Sequence, residues 1–310
     1  MRDHTHTDAF YAVTRAFSDP FFPEAERDAV ANALLRAWSG QMGLAIKDVT
    51  SYLRARTGTP ELAEIDAIAG IFSKRLSGSV LEDSIATRIG SSVEGIFRRA
   101  GREVEAESVQ DGYSVLAKKA GDSIIVVDGV SEDAAIEILQ GQLTVAAGGF
   151  WDDQLSDSIK NEMLKIYTGD ITRDDLRDKL KEMVNKRLSD AGEKTLSNSY
   201  FERLANFTTN KVRNIGKFSR GKSLGGKWYT LRNPMDERTS PICRGLVNEG
   251  KRYLLADAEP FIMKQLAAES VDDMKDAYPF WKTPSEDRIP IPGLLHFGDC
   301  RTTMRIEYLP

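Results

Sequence analysis

The stretch 227–232, Lys-Trp-Tyr-Thr-Leu-Arg, follows the last segment with helical periodicity upstream of it and does not have that periodicity itself. Its aromatic and β-branched residues fit a pleated, half-buried surface, so the stretch predicts a strand. A second such segment is 303–309, Thr-Met-Arg-Ile-Glu-Tyr-Leu. Its residues Met304, Ile306 and Tyr308 lie on one side, because side chains alternate along a strand. We expect the two strands, although far apart in sequence, to pair and to hold together a small C-terminal module.

Upstream of the first strand, apolar residues recur with the period of an amphipathic helix. One helix is predicted to begin at Thr59-Pro60-Glu61, because proline is favoured at the first helical position and an acid in the first turn. Its apolar stripe consists of Leu62, Ile65, Ala69, Phe72 and Leu76. The same period recurs over 24–38, 47–56 and 80–99, so the first hundred residues predict several helices.

The middle of the chain contains one more strand signal, followed by helices. The run 124–127 is rich in β-branched residues and ends at the turn dipeptide Asp128-Gly129. Ser131 then provides an N-cap for a helix whose first turn is acidic. Three further features are predicted: a hinge at Gly148-Gly149, a helix over 172–188 and a helix near 261–268.

These patterns together predict a mainly α protein with a small α+β C-terminal module and a multi-helix N-terminal body. The expected divisions are a helical domain over 1–149, a helical middle segment over 150–216, and a loop-rich α+β module over 217–310. Hydrophobic residues make up 41% of the 310 residues and charged residues 29%, a composition that favours a folded globular chain over disorder.

Composition also excludes several classes of protein. Two cysteines and three histidines exclude a disulfide-rich scaffold and an array of zinc fingers. With 42 basic and 47 acidic residues the net charge is −5, so the whole chain cannot coat nucleic acid by bulk positive charge. The first ten residues lack the apolar core of a secretory signal, and no stretch is apolar enough to span a bilayer. We therefore expect a soluble protein in a reducing compartment.

Residues 216–223, Gly-Lys-Phe-Ser-Arg-Gly-Lys-Ser, match the spacing of a phosphate-binding loop. Such a loop works between a buried strand and a helix, because the amides of the helix N-terminus must point at the phosphates. Here a polar helix precedes the motif and a Gly-Gly pair follows it, so the context is missing. Nucleotide binding through Gly216–Ser223 is kept as an alternative function, and we interpret the match as coincidental.

Basic residues are concentrated between 203 and 235, where eight Lys or Arg occur and no acid. Of the 42 basic residues 34 then remain elsewhere, against 47 acids, which leaves that remainder at −13. Such segregation suits contact with DNA phosphates, since each neutralised phosphate releases counterions. A solvated loop or an acidic partner protein explains the same charge equally well. The candidate DNA-binding residues are Lys211, Arg213, Lys217, Arg220, Lys222 and Lys227.

Catalytic and metal-binding residues are few. No acid, serine or cysteine stands in a spacing that indicates a catalytic site, and His296 is the one imidazole away from the N-terminal region. Cys243, His296 and Cys300 could supply three zinc ligands, with Asp236 or Asp299 as the fourth. A pair of structural thiols, brought together by the two strands, is the competing interpretation, and a zinc-stabilised DNA-binding module is the second alternative function.

The C-terminal third places distinctive residues in a definite order. They are Trp228, then Asp236, Arg238, Thr239, Pro241 and Cys243, then Gly250, then Pro290 and Pro292, and finally His296, Cys300 and Arg301. This order resembles that of the phage head morphogenesis family, the Mu F-like minor head proteins, over residues 150–305. The chain departs from the family pattern at Ser240 and Thr302, where the family has cysteines, and at Phe297, where it has proline.

The resemblance implies a minor capsid protein of a tailed bacteriophage, attached to the portal inside the head. Such a protein assists prohead assembly and DNA packaging or retention, and in some cases leaves with the genome. The implied partners are the portal protein, major capsid or scaffold proteins and phage double-stranded DNA, with no membrane, cofactor or enzymatic activity. The implied location is the capsid interior near the portal, and the host cytoplasm during assembly. The motif residues would then be structural, with Asp236, Arg238 and Thr239 fixing a turn.

Overall fold

A computed structural model describes residues 23–56, 63–76, 78–113, 124–150, 196–235, 239–270, 273 and 301–308 of the chain. Within these residues the protein is mostly helical, with a small sheet near the C-terminus. The predicted class, mainly α with a small α+β module, is therefore confirmed. The predicted helix over 172–188 lies outside the described residues.

Three helices make up the described part of the N-terminal region: α1 (Glu24–Arg54), α2 (Ala63–Leu76) and α3 (Gly78–Gln110). The segments 24–38 and 47–56, predicted separately, form the single helix α1. An interior glycine costs a helix only about 1 kcal/mol, so Gly40 and Gly43 between them do not end it. The apolar stripe of α2 is confirmed, because its described members are all buried: Ile65, Ala69, Phe72 and Leu76.

A short hairpin introduces the next helix. Strand β1 (Ile125–Val127) pairs antiparallel with β2 (Val130–Ser131), and Gly129 occupies the turn with a φ of 74°. The hydroxyl of Ser131 accepts a hydrogen bond from the amide of Ala134 at 3.3 Å. Ser131 therefore caps α4 (Glu132–Phe150), as the sequence predicts. The helix continues through the Gly148-Gly149 pair, so the residues interpreted as a hinge are helical.

Helix α5 (Leu196–Ser223) carries most of the basic segment. It runs across position 216/217, where the sequence places a division between a helical segment and the C-terminal module. The reason is that Gly216 serves close packing and does not break the helix. A Cβ at Gly216 would lie 2.7 Å from the carbonyl oxygen of Phe97 and 3.1 Å from Cβ of Ala100, both on α3.

The C-terminal sheet contains β3 (Trp228–Arg232), β4 (Tyr253–Leu254) and β5 (Thr303–Glu307) in the order β4-β3-β5, all antiparallel. The predicted pairing of the two distant strands is confirmed, with Tyr229 opposite Ile306. Helices α6 (Pro241–Asn248) and α7 (Leu255–Leu266) lie between β3 and β5 in sequence. The helix predicted near 261–268 thus begins six residues earlier, at 255.

The fold divides into two compact units, each built from separate segments of the chain. One comprises 1–28, 91–139 and 205–310, and the other comprises 29–90 and 140–204. The sheet, the hairpin, the C-terminal part of α3 and most of α5 all belong to the first unit. None of the helices in the described ranges is both long and apolar enough to cross a membrane.

Candidate functional site at the junction of the basic helix and the sheet

Most of the predicted DNA-binding residues lie on α5, and three of them face the protein interior. Lys211 and Arg213 are 2% exposed and Lys217 is 1% exposed. A phosphate group outside the protein cannot reach these side chains, so for them the predicted DNA contact does not fit the structure. Of the remaining three, Arg220 is largely buried, Lys222 is half-buried and Lys227 is exposed.

Two of these buried cations, Arg213 and Lys217, are neutralised by acids of α3. The guanidinium of Arg213 binds Glu103 with two hydrogen bonds, at 2.7 Å from its terminal nitrogen and 3.1 Å from Nε. Nζ of Lys217 lies 2.8 Å from Glu103 and 3.4 Å from Glu107. We call these four residues the Glu103 cluster. A buried charge is tolerated when it is paired and hydrogen-bonded, and this pairing meets that condition.

The same face of α5 covers the open edge of β5. The amide of Met304 donates to Oδ1 of Asn214 at 3.0 Å, and the carbonyl of Met304 accepts from Nζ of Lys217 at 3.1 Å. The carbonyl of Thr302 accepts from the side-chain amides of Asn210 and Asn214, both at 3.3 Å. Unpaired groups at a sheet edge invite pairing with another chain, so these side chains close the edge. We call Asn210, Asn214 and Lys217 the edge-covering residues.

A second polar chain connects β5 to the turn that carries the predicted motif. Asn233 donates to the hydroxyl of Thr302 at 2.8 Å and accepts from the hydroxyl of Thr239 at 2.6 Å. Thr239 is buried, whereas Asp236 and Arg238 lie outside the described residues. The hydroxyl of Thr302 thus takes part in this chain of bonds.

The residues proposed as zinc ligands are only partly described. Cys243 is buried at the start of α6, where the hydroxyl of Ser240 caps the helix by accepting from the Cys243 amide at 3.2 Å. His296 and Cys300 lie outside the described residues. Across the ranges that the structure does describe, no three potential ligands come together as a metal site. Zinc binding and the thiol pair both stay predictions.

The motif 216–223 lies entirely within α5, where main-chain amides bond along the helix and are not directed at a ligand. The side chains are also engaged: Lys222 binds Glu259 at 2.6 Å, and the hydroxyl of Ser223 donates to the carbonyl of Arg220 at 2.9 Å. Gly221 is required by packing, because a Cβ there would lie 2.7 Å from Ile306 of β5. The geometry of a phosphate-binding loop is therefore absent from this segment.

Burial changes the acid–base behaviour of Lys211 on α5. Loss of hydration lowers the pKa of Lys211 to about 7, because an ammonium group is disfavoured away from water.

Two remaining motif residues differ in their surroundings. Trp228 is partly exposed, with the guanidinium of Arg252 over its ring at 5.1 Å, and Arg301 is close to fully buried.

Several residues of this site were not identified from the sequence: Glu103, Glu107, Asn210 and Asn214. The spacing of 210, 214 and 217 places these residues on one face of a helix, and 103 and 107 share a face in the same way. That signal was present, but it does not say which faces meet. The sequence therefore showed which segment of the chain is basic, but it did not show that Arg213 and Lys217 of this segment pair with acids inside the protein.

Comparison with known proteins identifies no relative of this chain. No protein-family model, no curated protein and no solved structure matches it. The resemblance to the Mu F-like minor head proteins therefore stays a prediction, supported by the order of residues in the C-terminal third.

Proposed function

We propose that this chain is a minor head protein of a tailed bacteriophage, attached to the portal inside the head. In this role it assists prohead assembly and the packaging or retention of DNA. The observation that carries the proposal is the pairing of β3 with β5, since it brings two halves of the family-like motif together. Trp228 lies in the first strand, and β5 begins directly after Arg301 and Thr302.

The turn between the two halves of the motif also supports the proposal. Thr239 ends the Asp-Glu-Arg-Thr stretch, and its hydroxyl joins Asn233, which joins Thr302 just before β5. This hydrogen-bonded chain connects Thr239, a residue of the family-like pattern, to Thr302, which directly follows Arg301 of the same pattern.

A structural role, with no enzymatic activity, agrees with how the charged residues of the site are used. Arg213 and Lys217 are held by Glu103, and Lys217 also holds the backbone of β5. These groups stabilise the junction of helix and sheet. In the proposed role the long helices of the N-terminal region meet the portal or neighbouring head proteins, the chain resides in the capsid interior, and it passes through the host cytoplasm during assembly.

The test is to look for the chain in assembled particles. Heads purified from cells producing the phage that encodes this chain should contain it by mass spectrometry, in far fewer copies than the major capsid protein. Co-expression of the tagged chain with the portal protein of the same genome should yield a complex that elutes together. A tail protein of that genome is the control bait and should not be retained.

The proposal fails if the chain is absent from purified heads and elutes as a free monomer when the portal protein is present. Equal retention of the portal protein and the tail protein would also contradict it, because the association would then lack the specificity of portal docking.

A further inference from the structure

Among the described strands, β5 has one neighbour, β3, so part of its main chain faces away from the sheet. In an antiparallel pair, the groups that face the neighbour and those that face away alternate along the strand. The amide and carbonyl of Met304 and the carbonyl of Thr302 face away, because they bond to side chains of α5. Both residues are fully buried, so these groups depend on α5 for their hydrogen bonds.

Asn214 bonds to β5 in the pattern of a main-chain peptide group. Its Oδ1 accepts from the amide of Met304 at 3.0 Å, and its Nδ2 donates to the carbonyl of Thr302 at 3.3 Å. In a parallel pair of strands, a residue likewise accepts from the amide that follows its partner and donates to the carbonyl that precedes it. The carboxamide of Asn214 therefore stands where a strand residue paired in parallel with Thr303 would stand.

The orientation of this carboxamide is determined by its surroundings. Nδ2 also donates to the carbonyl of Asn210, one helical turn earlier, at 2.8 Å. A reversed carboxamide would place a donor against the amide of Met304 and an acceptor against both carbonyls, so one orientation alone forms all three bonds. Asn214 is 1% exposed, and water therefore does not compete for these bonds. The strand-like pattern is built into the fold.

Other positions on α5 extend this contact along the strand. Four positions on one face of the helix meet β5, and they are 210, 214, 217 and 221. Their contacts on β5 advance in the same direction, from residue 302 through 304 to 306. The helical row is about 17 Å long and the strand row about 13 Å, so the two rows are of similar length. Helix α5 therefore runs parallel to β5 and meets its successive outward residues, as a neighbouring strand does.

The last of these contacts is a notch that accepts one side chain. A Cβ at Gly221 would lie 2.7 Å from Cγ1 of Ile306, and a Cβ at Gly226 would lie 2.5 Å from Cγ2 of the same residue. Ile306 thus fills the space that the two glycines leave, with the close packing of a protein interior. A shift of β5 by two residues would keep the same faces but bring Met304 or Tyr308 to this notch. The notch therefore selects one register.

We propose that α5 is a template that fixes the register of β5, with the Asn214 carboxamide in the place of a parallel strand. The ligand of this template is an extended peptide segment, which in this chain is β5 itself. The inference deepens the proposed function and rests on it, because the register of β5 determines where Arg301 and Thr302 meet the turn that contains Thr239. Asn214 is thus a positioning residue for the family-like motif.

Amide hydrogen exchange of the full-length protein, followed residue by residue by NMR, tests the template. In an ordinary edge strand, amides bonded to the neighbouring strand are protected and amides that face away exchange quickly. The template predicts that the amide of Met304, which faces away from β3, is protected about as well as those of Thr303 and Arg305. In Asn214→Leu the Met304 amide should exchange about 5- to 150-fold faster relative to amides of α3, the factor expected when a buried donor loses its partner.

Two further variants make the test independent of how well Asn214→Leu folds. Gly221→Ala fills the notch but leaves Asn214 unchanged, and it should accelerate exchange along 303–307 by about 5- to 30-fold. Ser219→Ala is the matched control, because Ser219 is buried on the same helix but donates to Glu132 at 2.8 Å and not to β5. Ser219→Ala should change the exchange of the Met304 amide no more than that of α3 amides.

The inference is overturned if the Met304 amide of the parent exchanges as quickly as an amide of an unfolded chain. Equal acceleration of this amide in Asn214→Leu and Ser219→Ala would also overturn it, as would parental exchange of 303–307 in Gly221→Ala. Mass spectrometry of purified heads separates the template from the proposed function. A chain that is absent from heads but has a protected Met304 amide contradicts the proposed function and leaves the template standing, and a chain found in heads with a rapidly exchanging Met304 amide does the reverse.

Discussion

Neutralising Glu103 is expected to destabilise the protein far more than neutralising Glu94, although both acids lie on α3. In Glu103→Gln, Arg213 loses a carboxylate bonded at 2.7 and 3.1 Å, and Lys217 loses one at 2.8 Å. Breaking a buried pair by removing one partner costs about 3–5 kcal/mol of unfolding free energy. Because glutamine keeps one carbonyl acceptor, we expect the lower end, about 3 kcal/mol.

Glu94→Gln is the matched control on the same helix. Glu94 pairs with Arg98 one turn later, and these side chains are 46% and 57% exposed. An exposed pair of this spacing contributes about 0.3–0.5 kcal/mol, so its loss should hardly change stability. Urea unfolding, followed by tryptophan fluorescence and circular dichroism, measures both variants, and agreement of the two signals tests whether unfolding is two-state.

Salt and a compensating variant sharpen the comparison. Added salt should leave the difference between parent and Glu103→Gln largely intact, because buried pairs are screened much less than exposed ones. Replacing Glu103 and Arg213 together by Met should recover much of the loss, since Lys217 keeps Glu107 and the carbonyl of Met304. Similar losses in Glu103→Gln and Glu94→Gln would refute the interpretation of the Glu103 cluster as a buried, stabilising network.

Three further outcomes are expected. Gly221→Ala should lower the free energy of unfolding by about 1–2 kcal/mol, because overpacking against Ile306 exceeds the gain in helix propensity. Gly245→Ala meets open space and should raise the free energy of unfolding by a few tenths of a kcal/mol. Urea unfolding that ranks the two variants otherwise contradicts the packing argument. Because the pKa of Lys211 is lowered in the folded protein, the unfolded chain binds more protons than the folded one between about pH 7 and 10. The free energy of unfolding should therefore rise with pH in that range, by up to about 1.4 kcal/mol per pH unit. Parallel plots of unfolding free energy against pH for the parent and Lys211→Met would disprove this prediction. Neither the parent nor Lys222→Ala is expected to bind ATP in a calorimetric titration. If the parent binds ATP and Lys222→Ala does not, the nucleotide hypothesis is revived.

The strand pairing and the helical stripes could be predicted because each depends on a short-range pattern. Alternation in 303–309 places Met304 and Ile306 on one face, and the structure buries both. The stripe of α2 is similarly determined by residues within four positions of each other. In both cases a single segment carries the information, and tertiary contacts agree with it.

The fate of the basic segment could not be predicted, because burial of Lys217 depends on residues far away in the sequence. Its acidic partner Glu107 is 110 positions earlier, and its backbone partner Met304 is 87 positions later. The role of Gly216 was hidden for the same reason, since the close approach of Phe97 is visible only in the packed helices. A glycine alone predicts either a break or a contact.

The closure of the β5 edge by Asn210, Asn214 and Lys217 has a kinetic consequence. The bonds from Asn210 and Asn214 to Thr302 span 92 and 88 positions, so they form only after a long segment has been brought back to α5. Folding slows as contacts become less local, and β-pairing of this kind tends to come late. Until then, strand β3 lacks one neighbour and Lys217 lacks its carbonyl partner. Newly made chains would spend that interval vulnerable to aggregation, which makes slow synthesis, low temperature or a chaperone the practical route to intact protein.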